Sequence, residues 1–351
     1  MNPARTLVGV VLKDLPLYLP ALARAGEAYL AIRNREERLE LGPGRHGYRC
    51  DWKWTSELHA PKVIPALGLA LMRKALAAHP IKLSDRRVLN SPAAPQVSFV
   101  IGHRGTQRLP HLLATLRSIA AQVEVQVEAI IVEQDIESTL GLHVPDWVRV
   151  VHTPPPSQMP YSRSWAFNVG VQEARGRVLV LHDNDMLVPV DYAVEITRRV
   201  AAGYEVVNAK RFIFYLSSQH SEALLSDEAN LLGHPPESVV QNLEGGGSVA
   251  ITRSAYEAVG GMDESFVGWG GEDNEFWERA QTRRAWTWGT MPIIHLWHAA
   301  QSGKRDSSFA TAIRYRNLSA VSPLARIHAL LDSPGGQRCG PAGYNWGKGE
   351  A

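Results

Sequence analysis

The feature that most constrains the fold of this chain is an alternation of short apolar runs with segments of helical periodicity between residues 96 and 182. Residues 97–101 form a run of β-forming side chains, and residues 109–121 carry leucines at helical spacing. The alternation continues with strand-like runs at 128–132, 148–152 and 178–181 and a helical segment at 164–174. Strands that alternate with helices predict an α/β protein with a mostly parallel central sheet, flanked by helices and joined by right-handed crossovers.

Polar clusters follow three of these predicted strands directly, and ligands of parallel sheets bind at the carboxyl ends of the strands. The sequence therefore predicts a nucleotide-type site at one edge of the sheet. Arg104 and Arg163 can pair with phosphate or ring oxygens there, although a surface salt bridge is the alternative for each. Glu133 and Asp135 can accept hydrogen bonds from uracil or ribose. The clusters are residues 102–104, 133–135 and 183–185.

Two further patterns have the chemistry of a metal site. Asp183 and Asp185 end the last predicted strand and can offer hard oxygen ligands to Mg²⁺ or Mn²⁺ carrying a diphosphate, although such a pair can also cap a turn. His295 and His298 lie three residues apart after an apolar run, and imidazole nitrogens favour Mn²⁺ or Zn²⁺ over Mg²⁺. A structural role is the alternative for each histidine. The spacing is not the His-Glu-x-x-His of a zinc protease.

Residues 268–280, Gly-Trp-Gly-Gly-Glu-Asp-Asn-Glu-Phe-Trp-Glu-Arg-Ala, join an indole, glycines and adjacent carboxylates where loop composition changes into a helical pattern. Asp273 is the candidate general base, because a positioned carboxylate can take the proton from a poorly nucleophilic sugar hydroxyl. Glu272 can hydrogen-bond an acceptor hydroxyl, and Trp269 offers a flat face to a sugar ring. The alternatives are a helix cap at Asp273 or Asn274 and a core position for Trp269.

In this order, the segments resemble the β-1,4-galactosyltransferase family and, more distantly, the inverting GT-A glycosyltransferases that include the chondroitin polymerases. Residues 161–174 look like the family's Phe-Asn-Arg-Ala…Asn-Val-Gly-Phe-Gln-Glu-Ala, and residues 183–189 are similar to its Asp-Val-Asp-Leu-Ile-Pro. Residues 244–248 resemble its Phe-Gly-Gly-Val-Ser, and residues 268–273 match its Gly-Trp-Gly-Gly-Glu-Asp without a gap. The resemblance covers about residues 96–300 and implies a GT-A fold, which is Rossmann-like.

The resemblance also implies roles for the donor side of the site. Asp185 would hold the metal, and Asp183 would support the metal or the ribose, with Asn184 beside them as a donor-binding residue. His298 falls at the family's metal-binding histidine, and His295 falls where the vertebrate enzymes place a methionine ligand. The metal would be Mn²⁺ or Mg²⁺ and the donor a UDP-sugar. Arg104 and Arg163 would fall on nucleotide-contact positions.

On the acceptor side, the resemblance implies that Trp269 lines both sugars and that Asp273 is the base. Gly271 and Glu272 would hold the acceptor with it, and Gly246 and Gly247 would contact substrate. We expect three parts: an N-terminal accessory region (1–95) outside the resemblance, a GT-A domain (96–302) and a C-terminal tail (303–351).

The net charge, the cysteine count and the length of the apolar stretches limit which partners and which cellular compartment we expect. A net charge of +2 argues against a nucleic-acid partner. Cys50 and Cys339 are the two cysteines and lie far apart, which favours a reducing compartment. No stretch approaches the roughly 18 apolar residues that span a bilayer. We expect a cytoplasmic protein with at most peripheral contact at the inner membrane face, through the Met72-Arg73-Lys74 segment of a helix at 62–78, although a core-packed helix is the alternative.

The sequence thus supports a metal-dependent, inverting glycosyltransferase that moves a hexose or N-acetylhexosamine from a UDP-sugar to a hydroxyl group. A glycan, a lipid-linked oligosaccharide or a small molecule would each serve as the acceptor. Two alternatives remain open: a non-catalytic module that binds sugar nucleotides or glycans, and a metal-dependent phosphohydrolase or nucleotidyltransferase.

Overall fold

The computed structural model describes residues 3–51, 55–88, 93–156, 159–226, 230–241, 245–299, 310–332, 339–340 and 344–345. The helices are α1 (Pro3–Lys13), α2 (Leu15–Ala23), α3 (His59–Val63), α4 (Pro65–Ala78), α5 (Leu109–Ala120), α6 (Arg163–Glu173), α7 (Tyr192–Ala201), α8 (Ser218–Leu225), α9 (Arg253–Ala258), α10 (Glu272–Ala280), α11 (Ala310–Ser319) and α12 (Pro323–Leu331). Short 3₁₀ turns lie at Gly26–Ala31, Pro43–Arg45, Thr106–Arg108 and Leu140–Leu142.

The strands belong to two large sheets and two small hairpins. They are β1 (Leu39–Leu41), β2 (Tyr48–Cys50), β3 (Ser56–Glu57), β4 (Val97–His103), β5 (Val127–Glu133), β6 (Val148–His152), β7 (Val178–His182), β8 (Met186–Leu187), β9 (Val206–Val207), β10 (Lys210–Tyr215), β11 (Ser238–Gln241), β12 (Ser248–Thr252), β13 (Ala285–Trp286), β14 (Met291–His295), β15 (Cys339–Gly340) and β16 (Tyr344–Asn345).

The central sheet has the strand order β13-β9-β12-β7-β4-β5-β6. Strands β7, β4, β5 and β6 are mutually parallel, and β12 runs antiparallel between β7 and β9. Every residue of β4 and β5 is buried, as expected for strands covered by helices on both faces. The structure confirms the predicted α/β fold with a mostly parallel sheet, and each strand predicted between 97 and 182 is present.

A second sheet, ordered β3-β11-β10-β14-β8, lies beside the first and determines where the site forms. Strand β8 begins directly after the Asp183–Asp185 cluster. It pairs antiparallel with the end of β14, with Met186 opposite His295. The backbone N–H of Leu296 also donates to the carbonyl of Asp185 at 2.9 Å. This pairing brings two segments that are about a hundred residues apart in sequence into direct contact.

The N-terminal region shares a core with the second sheet. Strand β3 pairs with β11, and α4 contacts β14. Leu71 and Met72 of α4 are fully buried in one cluster with Phe212, Phe214 and Ile294. The core-packed alternative for this helix is therefore the correct one, and Met72 is not available to a membrane. The helix predicted at 62–78 is also divided, because Pro65 starts a new helix at its first position.

The segment predicted as a C-terminal tail contains α11 and α12, and both pack on α10. Within the described part of the chain, we find no single helix that is both long and apolar enough to cross a membrane. One pair of helices, Ala4–Lys13 and Leu15–Ala23, meets the length and composition criteria jointly but is bent by 51°.

Candidate functional site

A cleft of about 1960 Å³ opens at the carboxyl end of β7, between the two sheets. Most residues predicted for the site line this one cleft, although the segments that carry them are spread over almost two hundred positions of the sequence. They are Arg104, Arg163, Asp183, Asn184, Asp185, Gly246, Gly247, Trp269, Gly271, Glu272, Asp273, His295 and His298.

Asp185, His295 and His298 form a candidate metal centre inside the cleft. Nε2 of His298 lies 3.3 Å from Oδ2 of Asp185, and Nε2 of His295 lies 3.9 Å from Oδ1. One ligand atom from each residue lies within 4.8 Å of the others. A carboxylate oxygen with two imidazole nitrogens is a donor set that suits Mn²⁺ or Zn²⁺, so the residues present fit the predicted cation.

The surroundings of this centre fix its side chains. Asp185 is only 3% exposed, and burial opposes its ionisation, but His295 and Arg108 together hold the pKa of its carboxyl below the usual value. The ring of His295 stacks on Tyr215 with centroids 4.3 Å apart, because the two residues are paired across β10 and β14. The imidazole is therefore oriented by the sheet before any cation binds.

Arg108 is a site residue that the sequence analysis missed. Its guanidinium donates to Oδ2 of Asp185 at 2.6 Å and lies 3.0 Å from Nδ1 of His298. It belongs to the 3₁₀ turn that follows the polar end of β4, four residues after Arg104. Its position in the loop that ends a strand could have marked it as a site residue. Its contact with His298, however, depends on the pairing of β8 with β14 in the second sheet.

Arg163, the first residue of α6, joins the end of β7 to the start of α10. Its Nε donates to Oδ1 of Asp183 at 2.8 Å, and its Nη1 pairs with Oδ1 of Asp273. Nη1 also lies 3.9 Å from a carboxylate oxygen of Glu272. The guanidinium sits over the ring of Phe167 and is largely buried. This one arginine therefore holds three carboxylates, those of Asp183, Asp273 and Glu272, at one wall of the cleft.

The glycines before α10 set the position of Asp273. Gly268, Gly270 and Gly271 all have positive φ, and a Cβ on Gly271 would lie 2.7 Å from Cβ of Tyr315. Gly271 is the N-cap, so Asp273 lies within the first turn of α10 and is not its cap. The helix dipole favours a carboxylate at such a position.

Other predicted substrate residues surround this turn. Glu272 is buried and accepts the N–H of Gly270 at 3.1 Å, and burial raises the pKa of its carboxyl. Trp269 is 39% exposed in the cleft, so it is not a core residue. The carbonyl of Gly247 accepts the backbone N–H of Asp183 at 2.8 Å, which ties the glycine-rich segment to the end of β7.

Glu133 and Asp135 do not line this cleft. They line an adjoining cavity of about 460 Å³, which Arg104 also borders. Asp135 accepts the N–H of Gly105 at 2.8 Å. The carboxylate of Glu133 accepts hydrogen bonds from the backbone of residues 139 and 140 and from Ser138; these hold its pKa below the usual value although burial acts the other way. The contacts of Glu133 in this structure therefore hold the loop at residues 138–140.

Both terminal regions contribute to the walls of the cleft, which the sequence did not predict. Glu40, Arg49 and Asp51 from the N-terminal region and Tyr315 and Arg316 from α11 line it. The walls of the cleft thus include residues outside the segment of family resemblance, residues 96–300.

Comparison with known proteins supports the predicted resemblance. Residues 240–289 match a family model described as the N-terminal domain of galactosyltransferase. This stretch includes Gly246, Gly247 and the 268–273 motif. A search of curated protein sequences found no match.

Solved structures with some similarity include two glycosyltransferases. The mannosyltransferase PcManGT from Pyrobaculum calidifontis, in complex with GDP-Man and Mn²⁺, is 15% identical, with a TM-score of 0.41 over 77% of this chain and 72% of that chain. The catalytic domain of Drosophila β1,4-galactosyltransferase 7, in complex with xylobiose, is 13% identical, with a TM-score of 0.35 over 63% of this chain and 79% of that chain. The stretch that matches the galactosyltransferase family model, residues 240–289, is the part of the chain that carries Asp273.

Proposed function

We propose that this protein is an inverting, metal-dependent glycosyltransferase that moves a hexose or N-acetylhexosamine from a UDP-sugar to an acceptor hydroxyl. The observation that carries the proposal is the link from Asp183 through Arg163 to Asp273. Asp273, the proposed base, thereby lies in the same cleft as Asp185, His295 and His298, which could hold a divalent cation.

The donor would lie between the triad and the adjoining cavity. Asp185, His295 and His298 would hold Mn²⁺ or Mg²⁺, which when bound stabilises the negative charge of the leaving diphosphate. Asp183 and Asn184 follow β7 directly and would contact the ribose or the diphosphate. The small cavity bordered by Arg104 would take the nucleoside, with Asp135 as a hydrogen-bond acceptor.

Asp273 would act on the acceptor. Its carboxylate takes the proton of the acceptor hydroxyl while the oxygen forms a bond to the anomeric carbon. The bond from that carbon to the diphosphate oxygen breaks, and UDP leaves with the electron pair. Attack from the face opposite the leaving group inverts the anomeric configuration. The exposed indole of Trp269 offers its face to the C–H side of a sugar ring.

A thermal-shift screen tests the donor class. Ligands that bind only the folded state raise the melting temperature by mass action. UDP-, GDP- and dTDP-sugars would each be added with and without Mn²⁺, and Asp185→Ala would serve as the variant without the central ligand. We expect a rise that requires both a UDP-sugar and Mn²⁺ and is lost in the variant. A Mn²⁺-dependent rise with GDP-sugars alone would show that the donor is a GDP-sugar and not a UDP-sugar. If no nucleotide sugar raised the melting temperature, the proposal would be wrong.

A further inference from the structure

The outer face of the N-terminal helix pair α1 and α2 is unusually apolar for a surface. Of the fifteen large hydrophobic side chains that are exposed among the described residues, six lie within residues 7–19. They are Leu7 (46% exposed), Val8 (56%), Val11 (44%), Leu12 (68%), Leu17 (37%) and Leu19 (55%).

This exposure is a property of the packed helix pair, because the opposite face is anchored. Val10 and Tyr18 are buried, at 0% and 1% exposure. Asp14, between the two helices, is 3% exposed and forms an ion pair with Arg35 at 2.7 and 2.9 Å. Helical periodicity places Val8, Val11 and Leu12 on the side of α1 that faces away from buried Val10.

The charges around the face are basic. Arg5, Lys13 and Arg24 are exposed on the helix pair, and Arg73 is exposed on the neighbouring α4. Nζ of Lys74 donates to the carbonyl of Arg24 at 3.0 Å, which brings a further cation to the end of α2. The one acidic residue in residues 3–25, Asp14, is buried in its ion pair, and the first exposed acidic residue along the chain is Glu27, on the turn that follows α2.

We propose that this face docks the protein on an anionic membrane surface, with both helices lying along the interface. Exposed apolar side chains flanked by cations are what an interfacial helix presents to anionic lipid, where the side chains enter the headgroup boundary and the cations meet the surface charge. The same charges oppose a second copy of the chain as the occupant, because two basic faces would repel each other. The proposal does not depend on the proposed sugar transfer, and it moves the expected membrane contact from α4 to α1 and α2.

Vesicle co-sedimentation tests the proposal with the full chain. One set of vesicles is phosphatidylcholine alone, and the other contains equal parts of phosphatidylcholine and phosphatidylglycerol. We expect binding to the anionic vesicles that weakens with salt. Val8→Ser with Leu12→Ser should reduce it by at least about tenfold, since each removed methylene contributes to insertion. Arg5→Glu with Lys13→Glu should reduce it on anionic vesicles specifically.

The control is Leu142→Ser with Leu324→Ser, which changes two exposed leucines (87% and 60%) elsewhere on the surface. It should bind vesicles like the wild type. Unchanged melting temperatures establish that each variant is folded, and light scattering reports self-association. The proposal is overturned if the wild type binds neither vesicle, if both double serine variants bind equally, or if Val8→Ser with Leu12→Ser only converts a dimer into a monomer.

Discussion

The guanidinium of Arg108 donates a hydrogen bond to Oδ2 of Asp185 at 2.6 Å, and its second nitrogen lies 3.0 Å from Nδ1 of His298. A positive side chain thus lies between two of the three residues that would hold the cation. Arg108 balances the buried charge of Asp185. A cation held by Asp185, His295 and His298 would compete with this guanidinium for Oδ2 of Asp185.

Arg108→Gln should therefore tighten metal binding. Two unit charges about 4 Å apart interact by about 4 kcal/mol at an effective dielectric constant of 20, so removing the competing cation should lower the Kd for Mn²⁺ by at least about tenfold. Titration followed by the electron paramagnetic resonance of free Mn²⁺ measures this Kd. Arg117→Gln, whose partner Asp85 is exposed, is the control and should bind Mn²⁺ like the wild type. An unchanged or higher Kd in Arg108→Gln would mean that the arginine and the cation do not compete.

Asp273→Asn should reduce turnover while leaving donor binding nearly intact. General-base assistance is typically worth about 10²- to 10⁴-fold, so kcat should fall by at least the lower factor. The measurement is the rate of UDP release, compared with the Kd for UDP in the presence of Mn²⁺. Asp146→Asn, in an exposed loop, should behave like the wild type. Normal turnover in Asp273→Asn would exclude it as the base.

Arg279→Met should destabilise the fold by about 3–5 kcal/mol, because it breaks a buried ion pair and leaves Glu275 with Arg326, at 3.3 Å, as its remaining cationic partner. Arg279 is 0% exposed and donates to both oxygens of Glu275, at 2.7 and 2.6 Å, and to the carbonyls of Val259 and Gly261. Glu275 is 1% exposed, so water cannot replace the contact. Urea denaturation measures the free energy of unfolding.

Two further variants separate this effect from a loss of bulk. The double variant Arg279→Met with Glu275→Leu should recover part of the loss, because the buried carboxylate is removed with its arginine and Arg326 keeps its ion pair with Glu278 at 2.6 Å. Lys62→Met, which removes an exposed ion pair with Glu57, should cost less than about 1 kcal/mol. If the double variant were less stable than Arg279→Met alone, the charge would not be the cause.

Glu264 should make stability depend on pH. Burial raises the pKa of its carboxyl to about 8, although the amide of Asn168 donates to it at 2.8 Å. In unfolded chains, the pKa of a glutamate is about 4.3. Between these values the folded state keeps a proton that the unfolded state has lost. The free energy of unfolding therefore falls as pH rises through this window and levels off above it.

Glu264→Gln removes this titration. The difference in Tm between the variant and the wild type should be small near about pH 4.5 and should grow in favour of the variant towards about pH 8. Thermal denaturation across this range measures it. Parallel curves of Tm against pH would show that Glu264 titrates normally in the folded protein.

Local patterns were sufficient to predict the four parallel strands β4, β5, β6 and β7 of the central sheet, but not β9 and β13. Strands β4, β5 and β7 are buried apolar runs and β6 is a half-buried run rich in valine, so their positions follow from composition and period. The break before α4 was missed, although Pro65 favours the first position of a helix. The helices α11 and α12 were missed because α11 has a weak periodic pattern and gains its order from packing on α10.

The site was predictable only where one segment or one strand end determined it. Asp183, Asp185 and Asp273 follow from strand ends and from the 268–273 motif. Arg108 was missed because its contact with His298 joins positions 190 residues apart. Glu133 was predicted as a nucleotide contact because its acidic side chain ends β5, and the sequence does not show that two backbone N–H groups donate to its Oε1 and the hydroxyl of Ser138 to its Oε2.

The most direct test of the account is the product of a single turnover on the UDP-sugar that stabilises the protein with Mn²⁺. With water as the acceptor, proton NMR shows the anomeric configuration of the released sugar before it equilibrates, and chromatography identifies the nucleotide. The account predicts intact UDP and a sugar of the β configuration from an α-linked donor, with both absent in Asp273→Asn. Release of inorganic phosphate, of a sugar phosphate or of the α anomer would contradict it.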